Sequence, residues 1–132
     1  MIRTRRRPLA ATLWLCAFLP IGCAPSGGSP SDSEVNASAL PGLIEGLKSP
    51  DSAVRVSSAI AIGRIGPTAE AAVPSLIATL KDRDVSVRAA AAFSLGQIGS
   101  NAKTAVPELE SLSKQTGPLR DVAQKALKEI KG

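Results

Sequence analysis

The chain has 132 residues, 44% of them hydrophobic, 20% charged and only 2% aromatic, with no His, no Tyr, two Cys and a net charge of +5. Without His there is no Ser-His-Asp or Cys-His pair and no His-bearing zinc site, and two Cys build neither a disulfide framework nor a four-cysteine metal site. Arg3, Arg5, Arg6 and Arg7 account for four of the 16 basic residues, so from Cys23 onward 12 basic residues face 11 acidic ones; a balance of +1, with almost no aromatics, excludes the basic, base-stacking face of a nucleic-acid-binding domain.

Residues 1–22 read as a secretory signal. Arg3 to Arg7 form a positive n-region, and Leu9 to Gly22 form an apolar h-region broken by Pro20 near its end. This apolar run is shorter than the roughly 20 residues that a membrane-spanning helix needs. The competing reading is a short transmembrane or buried helix. The run ends in Leu19-Pro20-Ile21-Gly22-Cys23, which resembles a bacterial lipobox, where a small residue precedes the Cys that becomes the lipidated N-terminus. Pro20 departs from the Leu usual three residues before that Cys. The alternative cut, after Ala24, would leave Pro25 first in the product. The resemblance implies lipidation of Cys23, export to a bacterial cell envelope and, with Ala24 rather than Asp after the Cys, the outer membrane of a two-membrane host. Each buried CH2 contributes about 0.8 kcal/mol, so two or three acyl chains hold a protein on a membrane durably. Arg5-Arg6-Arg7 is also weakly similar to a twin-arginine signal.

Ala24 to Asn36 is rich in Ser, Pro and Gly. Such a segment buries too little apolar surface to offset its ordering entropy. Residues 23–37 are expected to be a flexible tether, with a root-mean-square reach of about 20 Å.

From residue 38 the chain repeats itself. Pro41, Pro74 and Pro107 recur at a spacing of 33, and residues 39–71 lie over 72–104 without gaps. Leu43/Leu76, Leu47/Leu80, Lys48/Lys81, Asp51/Asp84, Arg55/Arg88, Gly63/Gly96 and Gly66/Gly99 coincide. The third unit is one residue shorter and brings Leu119, Arg120, Leu127 and Ile130 under Val87, Arg88, Leu95 and Ile98. The units are about 38–70, 71–103 and 104–132. Each predicts two helices. The first runs from the Pro, tolerated in a first turn, to Lys48, Lys81 or Lys114. A turn then offers Ser49, Asp82 or Thr116 as N-cap. The second helix carries apolar residues at 54, 61, 62 and 65, and at 87, 91, 95 and 98, and stops at Gly66 or Gly99.

Residues 72–99, AVPSLIATLKDRDVSVRAAAAFSLGQIG, and the looser copies beside them resemble HEAT repeats, specifically the short bacterial kind named after phycobilisome lyases. The resemblance implies an all-α fold, an α-α superhelix of three helix pairs over residues 38–132. It implies a protein-binding scaffold far more than a chemistry.

Three sets of positions stand out. Asp51, Asp84, Arg55, Arg88 and Arg120 recur once per unit; they read as a structural ladder in which a carboxylate at a helix start takes an Arg from the adjacent unit, the alternative being a charged ligand site. Gly63 and Gly96 each cost about 1 kcal/mol relative to Ala in mid-helix and so mark a close approach of the next unit's helix. Gln124 and Lys128 replace Ala92 and Gly96 in unit three, and Ser57-Ser58 replaces Ala90-Ala91 in unit one. Both flanks therefore look capped, and a complete three-unit module is expected. The third set is a stripe on the second helices: Val56, Ile60 and Arg64, then Ala89, Phe93 and Gln97, then Asp121, Lys125 and Glu129. It is wholly charged in unit three and mostly apolar in the first two. The stripe reads either as an apolar docking patch with a charged rim or as ordinary core.

The function expected is a lipid-anchored scaffold with a protein partner, no cofactor, no metal, no nucleic acid and no evident small-molecule substrate. The alternative that the family's name raises is a chromophore-lyase-like enzyme or an accessory subunit of one. Against it, Glu45, Glu70, Glu108 and Glu110 are single carboxylates on polar faces, and no side chain stands ready as nucleophile or base.

Overall fold

The computed structural model describes residues 37–132; the stretch read as a signal, Cys23 and the stretch read as a tether, except for Ala37, lie outside them. Six α-helices follow a single 3₁₀ turn at Ala37–Ala39: α1 Leu40–Gly46, α2 Ser52–Ile65, α3 Val73–Thr79, α4 Val85–Ile98, α5 Val106–Ser113 and α6 Pro118–Lys131. Among the described residues there is no strand, and no helix is long and apolar enough to cross a membrane. Consecutive helices pair as α1/α2, α3/α4 and α5/α6, and the second helices stack, α2 on α4 and α4 on α6. The three expected helix pairs are present.

Pro stands in the first turn of α1, α3 and α5, where its missing N–H leaves no partner unsatisfied. The second helices α2 and α4 begin at Asp51 and Asp84, whose carboxylates accept from Ala53 N at 2.9 Å and Ser86 N at 2.8 Å. Here the structure corrects the expected caps. Ser49 and Asp82 sit two residues earlier and close the preceding turn, accepting from Asp51 N and Asp84 N, while Gly117 rather than Thr116 precedes α6. Both helices stop at a Gly with positive φ, Gly66 at 73° and Gly99 at 71°, a backbone state open to Gly without a Cβ clash. A 3₁₀ stretch follows each stop, Gly66–Ala72 and Gly99–Ala105, its small residues Ala69, Ala72, Ala102 and Ala105 turned fully inward. These links between units were not part of the two-helix reading. Asn101 Nδ2 donates to Pro67 O at 3.0 Å and ties one link to the other.

The core is one continuous cluster running through all three units, with Ile62, Leu76, Leu95, Ile98 and Leu109 fully enclosed. Residues 87, 91, 95 and 98 are all buried as expected. The first unit deviates: Val54 is 41% exposed although its counterpart Val87 is at 0%. The difference follows from position, because α4 lies between two second helices and α2 has one on a single side among the described residues.

Gly63 and Gly96 do what their cost required. A Cβ on Gly63 would stand 3.0 Å from Ser94 Cα, and one on Gly96 would stand 3.0 Å from Ala126 Cα. The second helices thus touch backbone to backbone at each seam. At the first seam the contact is also polar. The buried Ser94 hydroxyl lies 2.5 Å from Ala59 O on the neighbouring helix and 2.7 Å from Ala90 O on its own,, so it satisfies itself inside the core.

Candidate functional site

The turns between paired helices hold the recurrent charges. Arg55, at the start of α2, is buried at 7% exposure. Its Nη1 donates to Ser49 O at 2.8 Å and Pro50 O at 3.1 Å. Its other edge faces the second unit, with Nη2 donating to Asp82 Oδ1 at 3.2 Å and Nε 2.8 Å from Asp82 Oδ2. The Nε contact is one of charge rather than a directed hydrogen bond, since no acceptor lies along its N–H. Burial pushes the Asp82 carboxyl up, but the Asp84 N–H and the Arg55 guanidinium outweigh it and hold Asp82 below the ordinary carboxylate value.

This arrangement corrects the expected ladder. Asp51 and Asp84 cap helices and take no Arg among the described residues; the acid that does is Asp82. Arg88 repeats the hold on its own turn, with Nη1 at 2.6 Å from Asp82 O and 3.3 Å from Arg83 O. The residue of unit three in the place of Asp82 is Gln115, so Arg88 finds no carboxylate there. Arg120 is exposed and makes no ion pair among the described residues. A ladder of several rungs is therefore a single rung between units one and two.

The stripe on the second helices is divided by the fold. Val56, Ile60 and Ala89 are half-buried and pack against the core. Phe93 is 37% exposed. Arg64 and Gln97 are exposed, as are Asp121, Lys125 and Glu129 on α6. Ile60 on α2 and Phe93 on α4 occupy the same register of adjacent helices, Ile60 about one turn before Gly63 and Phe93 immediately before Ser94, the two residues in contact at the seam. The face is thus a shallow apolar strip, edged by core at Val56, Ile60 and Ala89 and outermost at Phe93. Among the described residues no three His, Cys, Asp or Glu converge as metal ligands. The residue that sequence reasoning missed is Asp82, and the signal for it was weak, because it breaks the repeat.

The comparisons agree with this architecture. Residues 40–128 match the family described as HEAT repeats. A search of curated proteins found no match. With helix pairs stacked through their second helices, small residues at the seams and a family match over more than half its length, the chain belongs to the HEAT-repeat family.

Proposed function

We propose that this chain is a protein-docking scaffold held at a bacterial envelope membrane by a lipid on Cys23, with the exposed strip of α2 and α4 as its docking face, and that it works by binding rather than by catalysis. HEAT repeats form scaffolds for protein partners. The observation that carries the finer reading is Phe93, a large apolar side chain 37% exposed where the third unit has Lys125. An aromatic in that setting, with Val56, Ile60 and Ala89 around it and Arg64, Gln97, Lys125 and Glu129 at the rim, has the composition of an interface centre. The lipobox-like run at Leu19–Cys23 supports the anchor.

Two charge insertions test the face. Ile60→Glu places a carboxylate against the core and should unfold the first unit, whereas Phe93→Glu should keep its helical circular dichroism and lose crosslinking to the partner in the intact envelope. Equal loss of helicity in both variants would make Phe93 core and end the docking reading. The anchor has its own test. Cys23→Ala should take up no radioactive fatty acid and leave the membrane fraction; a variant that stays labelled and membrane-bound would sink it.

A further inference from the structure

The two seams of the stack are the same joint made twice, and one of their differences is the residue that answers the turn arginine. Between α1 and α3 a cleft of about 220 Å³, walled by Lys48, Ser75 and Thr79, ends on Asp82. Between α3 and α5 the equivalent cleft measures about 320 Å³, is walled by Lys81, Glu108 and Leu112, and ends on Gln115. At the first seam Asp82 pairs with Arg55, which lines a neighbouring cleft with Arg83 and Asp84; at the second, Arg88 lines the cleft itself.

Arg88 is held as Arg55 is, by Nη1 on two carbonyls of its own turn. The edge formed by Nε and Nη2, which in Arg55 meets a carboxylate, meets none in Arg88 among the described residues. The other charges around the cleft are already matched, Lys81 with Glu108 at 3.3 Å and Asp82 with Arg55 at 2.8 Å. One positive charge with a fork-shaped donor edge is left over. We infer that this edge of Arg88 is a binding site for a carboxylate from outside the chain, an acidic side chain or the C-terminus of a peptide, which takes the place Asp82 has at the first seam. A guanidinium donates to both oxygens of a carboxylate at once, and the two carbonyls already fix its orientation, so little further order is needed on binding. Leu80 and Leu112, both buried, form the apolar floor of the same cleft. The site shares no residue with the Phe93 face and stands whether or not that face binds.

The test follows the Arg88 Nε–H resonance in the labelled full chain during titration with three short peptides: one capped at both ends with a central Glu, one with a free C-terminal carboxylate and no acidic side chain, and a capped control with Gln for Glu. At least one acidic peptide should give a saturable shift with a dissociation constant of roughly millimolar strength, the range for one charge-assisted pair with modest apolar support, and which peptide does so identifies the source of the carboxylate. Gln115→Asp restores the missing acid and should weaken that binding about tenfold, by self-occupation of the fork. Arg88→Lys keeps the charge but loses the fork and, followed through the backbone amide resonances of Arg83 and Gln115 beside the cleft, should weaken it too. An equal shift with the Gln peptide, no saturation with either acidic peptide, or unchanged binding in the two variants would overturn the proposal.

Discussion

Gly63→Val should lower the stability of the stack by about 3 kcal/mol, from overpacking a close-packed contact. For a domain of this size that is a fall of roughly 10–20 °C in Tm, measurable by thermal circular dichroism. A Cβ at Gly63 already meets Ser94 Cα at 3.0 Å, and that atom is backbone, so relief requires the whole of α4 to move away from α2. Moving it would also stretch the Ser94 bond to Ala59 O. Gly63→Ala should do far less harm, because the gain of about 1 kcal/mol in helix propensity works against a smaller clash. Gly42→Ala supplies the control of opposite sign. Nothing lies within 4 Å of a Cβ there, so the substitution should stabilise by about 0.5–1 kcal/mol through the propensity and unfolded-chain terms alone. If Gly63→Val and Gly42→Ala melted alike, the backbone contact at the seam would not exist.

Asp82→Ala is the second large effect, at about 2–3 kcal/mol; removing one partner of a fully buried pair costs 3–5, and partial access of water reduces it here. The Arg55 side chain is 8% exposed and the Asp82 side chain 14%. Losing the acid leaves a guanidinium enclosed with only two carbonyls to answer it. Arg88→Ala, at the equivalent position without an acid, should cost less than about 1 kcal/mol, since it gives up turn contacts that water can replace. A double-mutant cycle on Arg55 and Asp82 isolates the pair; additivity would show that the rung contributes nothing. The pH dependence has a definite sign. The folded-state carboxyl of Asp82 lies below the ordinary 3.8, so its contribution is complete above that value and fades as pH falls through the lower, folded-state value. Denaturant midpoints of the native chain and of Asp82→Asn should therefore converge in acid below 3.8 and stay apart at neutral pH.

Much of the fold was readable because the repeat carries it. A Pro in each first helix, a Gly at the stop of α2 and of α4 and a Gly at each seam are demands of the backbone, and backbone demands recur wherever the fold does. Gly63 and Gly96 were legible for that reason, since nothing but proximity justifies a glycine twice at one mid-helix position. The caps were displaced by two residues because both ends of each turn offer a capping side chain. Ser49 and Asp51, or Asp82 and Asp84, accept equally well, and spacing does not say which closes the turn and which starts the helix. The ion pair was misassigned for a subtler reason. Recurrence pointed to Asp84, which matches Asp51, while the true partner, Asp82, replaces Ser49 and is itself replaced by Gln115. A search for what repeats passes over a contact that one seam alone possesses. The 3₁₀ links left only small alanines as a trace, and alanine is at home in any buried element.

The inequality of the two seams sets where this molecule gives way. The Arg55–Asp82 pair, the Ser94 hydroxyl on Ala59 and the Asn101 amide on Pro67 all cross the first. The second has close packing of Gly96 on Ala126 and an exposed Lys81–Glu108 pair. In a linear array each unit is held by its neighbours alone, so weaker bonding concentrates opening at one plane. Units one and two should therefore hold as a riveted block, with the α5/α6 pair as a hinged leaf that parts from it first.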